Sequence, residues 1–116
     1  MFNSAIIEPQ QIQDLRNADL ASHYLRSMDF SYADMSSVNL SRAQLQNTDL
    51  SYANLTLANL SNCILFGANL EGADLRGATL QGADLTDARL ENAKYSQNTI
   101  FSNQFRPEQA GMILVN

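Results

Sequence analysis

The apolar residues of this chain recur with a period of five. From Leu20 onward, positions 20, 25, 30 and so on to 105 are all apolar, mostly Leu, with Phe30, Met35, Tyr95, Ile100 and Phe105 among them. Two residues before each lies a mostly small residue: Ala18, Ala33, Ala43, Ala53 and Ala58, then Ala68 through Ala93 without a break, with Thr48 and Cys63 as near-sized substitutes. Five is neither the 3.6 of a helix nor the simple 2 of a strand. In Ala73-Asp74-Leu75 the two apolar residues are two apart, so an extended backbone points both to one face and Asp74 to the other. The next step, from Leu75 to Ala78, is three, so the chain has to turn. A four-residue β-turn over 75 to 78 puts Gly77 at its third position, where a type II turn requires positive φ. Gly67, Gly72 and Gly82 fall at the same place. Tyr32, Arg42, Tyr52 and Leu57 occupy earlier corners, where positive φ is costly, and are expected to use other turn types.

A chain that turns in one sense after every short strand winds into a coil. Successive coils stack about 4.8 Å apart through backbone hydrogen bonds, with Leu on the axis and Ala keeping the walls close. Burial of each Leu is worth about 1.5–3 kcal/mol. Because contacts run between neighbouring coils, stability is expected to be quasi-one-dimensional.

The motif A(D/N)LXX, present as ANLTL, ANLSN, ANLEG, ADLRG and ADLTD, resembles the pentapeptide repeat family. The resemblance spans residues 18 to 105. It implies an all-β fold, a right-handed quadrilateral parallel β-helix with four pentapeptides per coil and about four coils in all. The tail TIFSNQFRPEQAGMILV is similar to the TxFPxGFDPxxAGM ending of cyanobacterial members, with Ser102 in place of the first Pro and Arg106 in place of the Asp. Three parts are expected: an N-terminal cap over 1–17, the repeat over 18–105 and a C-terminal tail or cap over 106–116. Pro9, Ile12 and Leu15 suggest a short helix from about Pro9 to Arg16 covering the first coil, with Ile6 and Ile7 nearby. The tail either folds across the last coil, which is favoured, or meets another subunit end to end; a monomer is the preferred state.

With twenty residues per coil, Tyr32 stacks with Tyr52, Gly72 and Asn92 at one corner. Asp29 stacks with Asp49, Asn69 and Arg89 on the adjoining wall, and stacked like charges require compensation. Ile64 and Phe66 take outward positions that elsewhere hold polar residues, and Leu57 is outward at another corner. Ile64, Phe66, Tyr32 and Tyr52 are therefore the candidate protein-contact residues. His23 and Met28 fall in the Ala column and are expected to fill a wider first coil. Cys63 reads as a small buried group without an activating partner.

Composition narrows the function classes. The 116 residues suit one domain, the net charge of -5 argues against a phosphate-binding footprint, and nucleic acid is not an expected partner. The start MFNSAIIEPQQIQ lacks the basic and apolar regions of a secretory signal, no run reaches about 18 apolar residues, and a single Cys excludes an internal disulfide; a cytoplasmic protein without membrane contact is expected. No catalytic constellation, metal-ligand spacing or cofactor motif stands out, so an enzyme is not expected. A non-catalytic protein-interaction scaffold, with a regulatory role in a cyanobacterium, is the first functional expectation. The alternative implied by quinolone-resistance members of the resembled family is DNA mimicry against a topoisomerase such as gyrase.

Overall fold

A computed structural model describes residues 13–116. Its backbone is a parallel β-helix whose bridges join residues twenty apart. Four columns of bridges form four walls, each named here by its first residue. The Asp14 wall stacks Asp14, Asp34, Asn54, Asp74 and Lys94; the Asp19 wall stacks Asp19, Asn39, Asn59 and Thr79. The Tyr24 wall stacks Tyr24, Gln44, Ile64 and Asp84, and the Asp29 wall stacks Asp29, Asp49, Asn69 and Arg89. Each central residue bonds the preceding coil through both main-chain groups, Ile64 N donating to Ala43 O at 3.0 Å and Ile64 O accepting from Leu45 N at 2.8 Å, while its neighbours Cys63 O and Leu65 N bond Asp84 of the next coil. The axis is apolar and dry, with Leu40, Leu45, Leu50, Leu55, Leu60 and Leu65 fully buried beside Ala43, Ala68 and Ala73. Where a polar residue replaces Ala in the small column it bonds a carbonyl: Thr48 Oγ1 donates to Leu25 O at 2.6 Å and Cys63 Sγ to Leu40 O at 2.7 Å.

The corners depart from expectation. Tyr32, Arg42, Tyr52 and Leu57 do not switch turn type: their φ values are 61°, 61°, 57° and 60°, and among the described residues twelve non-glycine residues hold positive φ. The turn bond closes in each case, as in Ala33 N to Phe30 O at 3.0 Å. Positive φ at the third turn residue alone is the type II signature. The cause is the ladder. Each corner N–H also bonds the next coil, Tyr32 N to Ser51 O at 2.9 Å and Leu57 N to Arg76 O at 3.0 Å, so a different turn would forfeit that bond and misalign the stack. An αL residue costs about 1–2 kcal/mol, a strain that persists because both neighbours over-determine the geometry.

The glycines have a second reason beyond φ. A Cβ at Gly72 would run into the ring of Tyr52, and one at Gly67 or Gly82 into the side-chain amide of Asn47 or Asn62, one coil earlier. The large corner residue leans over the next coil, and glycine there gives it room.

The regular register ends at Tyr95. Thr79 bridges Ile100 rather than residue 99, because one residue is added after Tyr95 and the four-residue turn, closed by Thr99 N to Ser96 O, starts one position late. Thr99 consequently takes the small inward column, donating Oγ1 to Leu75 O at 2.9 Å, and Ile100, expected inside, is 51 % exposed. Phe101 turns inward instead, edge-on to Tyr95 at 5.7 Å and stacked on Phe105 at 5.0 Å. The slip is bridged by hydroxyls: Ser96 Oγ and Ser102 Oγ accept the N–H groups of Gly77 and Gly82 at 3.0 and 2.8 Å, where carbonyls serve lower coils. The tail then folds across the last coil. A 3₁₀ helix over Pro107–Ala110 ends at Gly111 (φ 82°), Met112 is buried, and strand β2 (Ile113–Leu114) pairs in parallel with β1 (Lys94–Tyr95).

At the other end, the expected helix over 9–16 has its first half, residues 9–12, outside the described residues. Its last residues are not helical: Asp14 bridges Asp34, and Leu15 N bonds Asp34 O at 2.8 Å, so the coil is under way before residue 18. Ladder bonds satisfy these groups better than an isolated turn of helix. His23 and Met28 do not fill a widened first coil; both are exposed, Met28 by 44 %. Both stand on the first described rungs of the Tyr24 and Asp29 walls, beneath which no further described coil is stacked.

Two outcomes follow for unfolding experiments. Phe101→Ala should cost about 2 kcal/mol or more, whereas Ile100→Ala should stay within about 0.5 kcal/mol of wild type, measured by urea melts. Gly72→Ala should cost about 2 kcal/mol in the wild type and about 1 kcal/mol less when Tyr52 is first changed to Ala, a coupling that a double-mutant cycle reads directly.

Candidate functional site

The outward (D/N) side chains have a local task. Asp29 Oδ1 accepts the Ser31 N–H at 3.0 Å and the Ser31 hydroxyl at 2.6 Å; Asp49 with Ser51, Asn59 with Ser61 and Asp84 with Thr86 repeat the arrangement. Each is an Asx turn that ties the strand end into its corner. Asn and Asp serve equally, since the accepting atom is a side-chain oxygen in both. The bonds also hold carboxyls below their ordinary range: the Ser31 and Thr86 hydroxyls and amides lower Asp29 and Asp84. Hydrogen bonds from Arg16 bring Asp14 down to about 2. At Asp74 burial pushes the carboxyl up, and the Arg76 side chain more than offsets it. The charge balance along the walls is thus met by hydroxyls and by short pairs, Arg16 with Asp14 at 2.9 Å, Arg76 with Asp74 at 2.7 Å and Arg89 with Glu71 at 3.4 Å.

The four candidate contact residues do not form one surface. Tyr32 and Tyr52 stack at 5.2 Å with rings 13° apart, on the corner between the Asp29 and Asp14 walls, 61 % and 49 % exposed. Ile64 and Phe66 stand on the Tyr24 wall, separated from that corner by the whole Asp29 wall. Ile64 is half-buried and Phe66 43 % exposed. The same wall carries Tyr24, 79 % exposed, which stacking by twenty would have placed in the column of Ile64. One coil before Phe66, the Gln46 Oε1 atom is buried without a hydrogen-bond donor. Leu57, 64 % exposed, stands alone over Gly77 at the corner between the Asp14 and Asp19 walls.

Chemistry of the conventional kind finds little purchase here. His23 makes one contact, Nδ1 to Ala21 O at 3.0 Å. Burial pushes the Cys63 thiol up to about 12, so it is protonated at neutral pH. Among the described residues no group of three His, Cys, Asp or Glu side chains could hold a metal ion, and no helix is long and apolar enough to cross a membrane.

The family model for pentapeptide repeats matches residues 14–47, 39–76 and 53–92 in eight copies. The chain belongs to the pentapeptide repeat family. Its fold is accordingly the right-handed β-helix of that family. The crystal structure of alr5209, a pentapeptide repeat protein from Nostoc PCC 7120, is similar at 36 % identity over 90 % of this chain and 86 % of that one, with a TM-score of 0.88. The pentapeptide repeat protein Rfr23 from the cyanobacterium Cyanothece 51142 is 39 % identical over 72 % of this chain and 63 % of its own, with a TM-score of 0.43. The plasmid-mediated fluoroquinolone resistance protein QnrB1 is 20 % identical over 94 % and 70 %, with a TM-score of 0.36, too distant to bear on activity. None of the curated proteins matches the chain.

The lowered carboxyls give a pH dependence with a definite sign. A group whose folded pKa lies below its unfolded value contributes stability that is complete above the unfolded value and is lost as pH falls through the folded one. Stability should therefore hold above the ordinary carboxylate value of 3.8 and decline toward the Asp14 value of about 2. Changing Asp29 to Asn, which keeps the Asx turn, should flatten part of that decline in melts recorded as a function of pH.

Proposed function

We propose that this pentapeptide repeat protein is a non-catalytic interaction scaffold, a rigid cytosolic tower of about four coils that presents its Tyr24 wall to a protein partner. The observation that carries the reading is Phe66, 43 % exposed beside Ile64 at positions that the repeat elsewhere gives to polar side chains. Tyr24 extends the apolar character along the same wall, and a partner donor at Gln46 Oε1 would relieve an unmet buried acceptor. Large aromatic groups on a rigid frame lose little entropy on binding and anchor interfaces well. The Tyr32 and Tyr52 stack offers a second contact on another face, and a regulatory setting is in keeping with the cyanobacterial relatives.

The alternative, DNA mimicry toward gyrase, has less support. A phosphate-like ladder needs unbroken negative charge, whereas Lys94 caps the Asp14 wall, Arg89 caps the Asp29 wall, Asn or Thr interrupts the Asp14, Asp19 and Asp29 columns, and the Tyr24 column carries a single carboxylate, Asp84. Several of the remaining carboxylates are engaged by hydroxyls or arginines.

Replacing Ile64 and Phe66 together by Ser should leave the fold intact, since neither is fully buried, and should abolish capture of the partner that the wild-type chain retains from native lysate. Unchanged recovery of the same partner by the double variant would reject this wall as the contact surface.

A further inference from the structure

The ladder of the Tyr24 wall stops early. On lower coils the edge is fully paired: Leu65 N donates to Asp84 O at 2.8 Å and Cys63 O accepts from Asp84 N at 2.9 Å. One coil later, the N–H of Leu85 and the C=O of Ala83 have no partner among the described residues. Ile100 still covers Thr79 on the Asp19 wall, and Ser102 Oγ still meets the Gly82 corner, but the chain then passes the Tyr24 wall without bonding to it. Burial records the same gap. Leu45 and Leu65 are fully buried in this column, Leu85 only partly, while Leu90 at the next wall is buried again. The gap is a cavity of about 520 Å³ with Ala83, Asp84, Leu85 and Thr86 on one side and Ser102, Gln104 and Phe105 on the other. That volume lies within the range of ordinary binding sites, and an unpaired strand edge is a template for another strand.

The geometry of the coils specifies what fits. A strand continuing the stack runs parallel to Ala83–Leu85. Its central residue donates N–H to Ala83 O and accepts from Leu85 N, as Asp84 does one coil below. Its flanking residues enter the inward columns, small over Ala83 and large and apolar over Leu85. Its central side chain points outward over Asp84, whose carboxylate has no cation within ion-pair distance among the described residues. The chain supplies its own precedent, since Lys94 in Ala93-Lys94-Tyr95 stacks directly over Asp74.

We propose that this open edge is a docking site for an extended segment of a partner protein with the pattern small, basic, large apolar, added as a parallel strand over Ala83–Leu85. The proposal rests on the scaffold reading and gives it a recognition chemistry: main-chain pairing for affinity, charge complementarity with Asp84 for selectivity. A second copy of this chain is a poorer occupant, because its own segments of that pattern, Ala88-Arg89-Leu90 and Ala93-Lys94-Tyr95, are already built into its walls.

The test uses the full chain, isotopically labelled for NMR, and the synthetic peptide Gly-Ser-Ala-Lys-Leu-Ser-Gly. Saturable shifts at Leu85 and slowed exchange of its amide are expected. N-methylation of the peptide lysine, which removes the N–H aimed at Ala83 O, should weaken binding about tenfold or more. Asp84→Asn, which keeps the Asx turn, should still bind, but its preference for the lysine peptide over a glutamate version should fall by about threefold to fivefold. Absence of saturable shifts at Leu85, equal binding of the N-methylated peptide, or an undiminished lysine preference in Asp84→Asn would overturn the proposal. Protection of the Leu85 amide that grows with protein concentration in peptide-free samples would also overturn it, naming a second copy as the occupant. If the peptide fails while loss of Ile64 and Phe66 still strips the lysate partner, only the docking edge falls; if the peptide binds and the partner is indifferent to those two residues, only the Ile64 and Phe66 surface falls.

Discussion

Every feature of this protein is subordinate to the hydrogen-bond ladder that joins residues twenty apart. A single pentapeptide closes one turn and buries one Leu, far too little to stand alone. Stacking converts each short extended piece into a rung paired on both sides, and the walls, corners and core then share one geometry. That constraint explains why Leu57, Arg42 and two tyrosines hold a backbone conformation that such residues rarely adopt. Local preference asks for another turn; the neighbouring coils do not permit one.

The regular part of the molecule was legible in the sequence because side-chain pattern and backbone period coincide there. The inward Leu and Ala columns follow from the spacing, and the stacking of Tyr32 on Tyr52 and the succession Asp29, Asp49, Asn69, Arg89 follow from it once the resembled family supplies four pentapeptides per coil. What could not be read arose where two effects compete. At the corners, residue propensity opposed the ladder and lost. After Tyr95, Ile100 and Phe101 were equally apolar neighbours, and the period favoured the wrong one; the deciding factor was the residue added between Tyr95 and the Ser96–Thr99 turn, with hydroxyls of Ser96, Thr99 and Ser102 able to replace ladder partners. On the surface, spacing assigned each candidate residue to its wall but not its exposure, and Tyr24 was overlooked although it stands in the column of Ile64.

The acidic composition takes on a different meaning once the Asx turns are seen. Where Asp or Asn stands at the centre of a wall rung it supplies an acceptor oxygen to the Asx turn, and net charge is a by-product of how often that acceptor is Asp rather than Asn. Exposed pairs such as Arg76 with Asp74 add little stability individually, so their effect is to keep stacked carboxylates from repelling one another. Charge therefore informs on how the walls are held together more than on what they bind.

A solenoid that pairs every rung has no free backbone except where it stops. Along the Asp14 wall the tail completes the ladder by pairing β2 with β1; along the Asp19 wall Ile100 does so; along the Tyr24 and Asp29 walls nothing of the described chain pairs the last rung, but at the Asp29 wall Leu90 is buried whereas Leu85 at the Tyr24 wall is not. The residue added after Tyr95 shifts the chain by one yet still lets Ile100 pair on the Asp19 wall and brings Phe101 inward; the next turn, closed by Phe105 N to Ser102 O, then carries the chain past the edge above Asp84 without bonding it. The apolar pair Ile64 and Phe66 lies one coil below the same edge, which gives the Tyr24 wall both the side chains and the free main-chain groups that a partner strand needs.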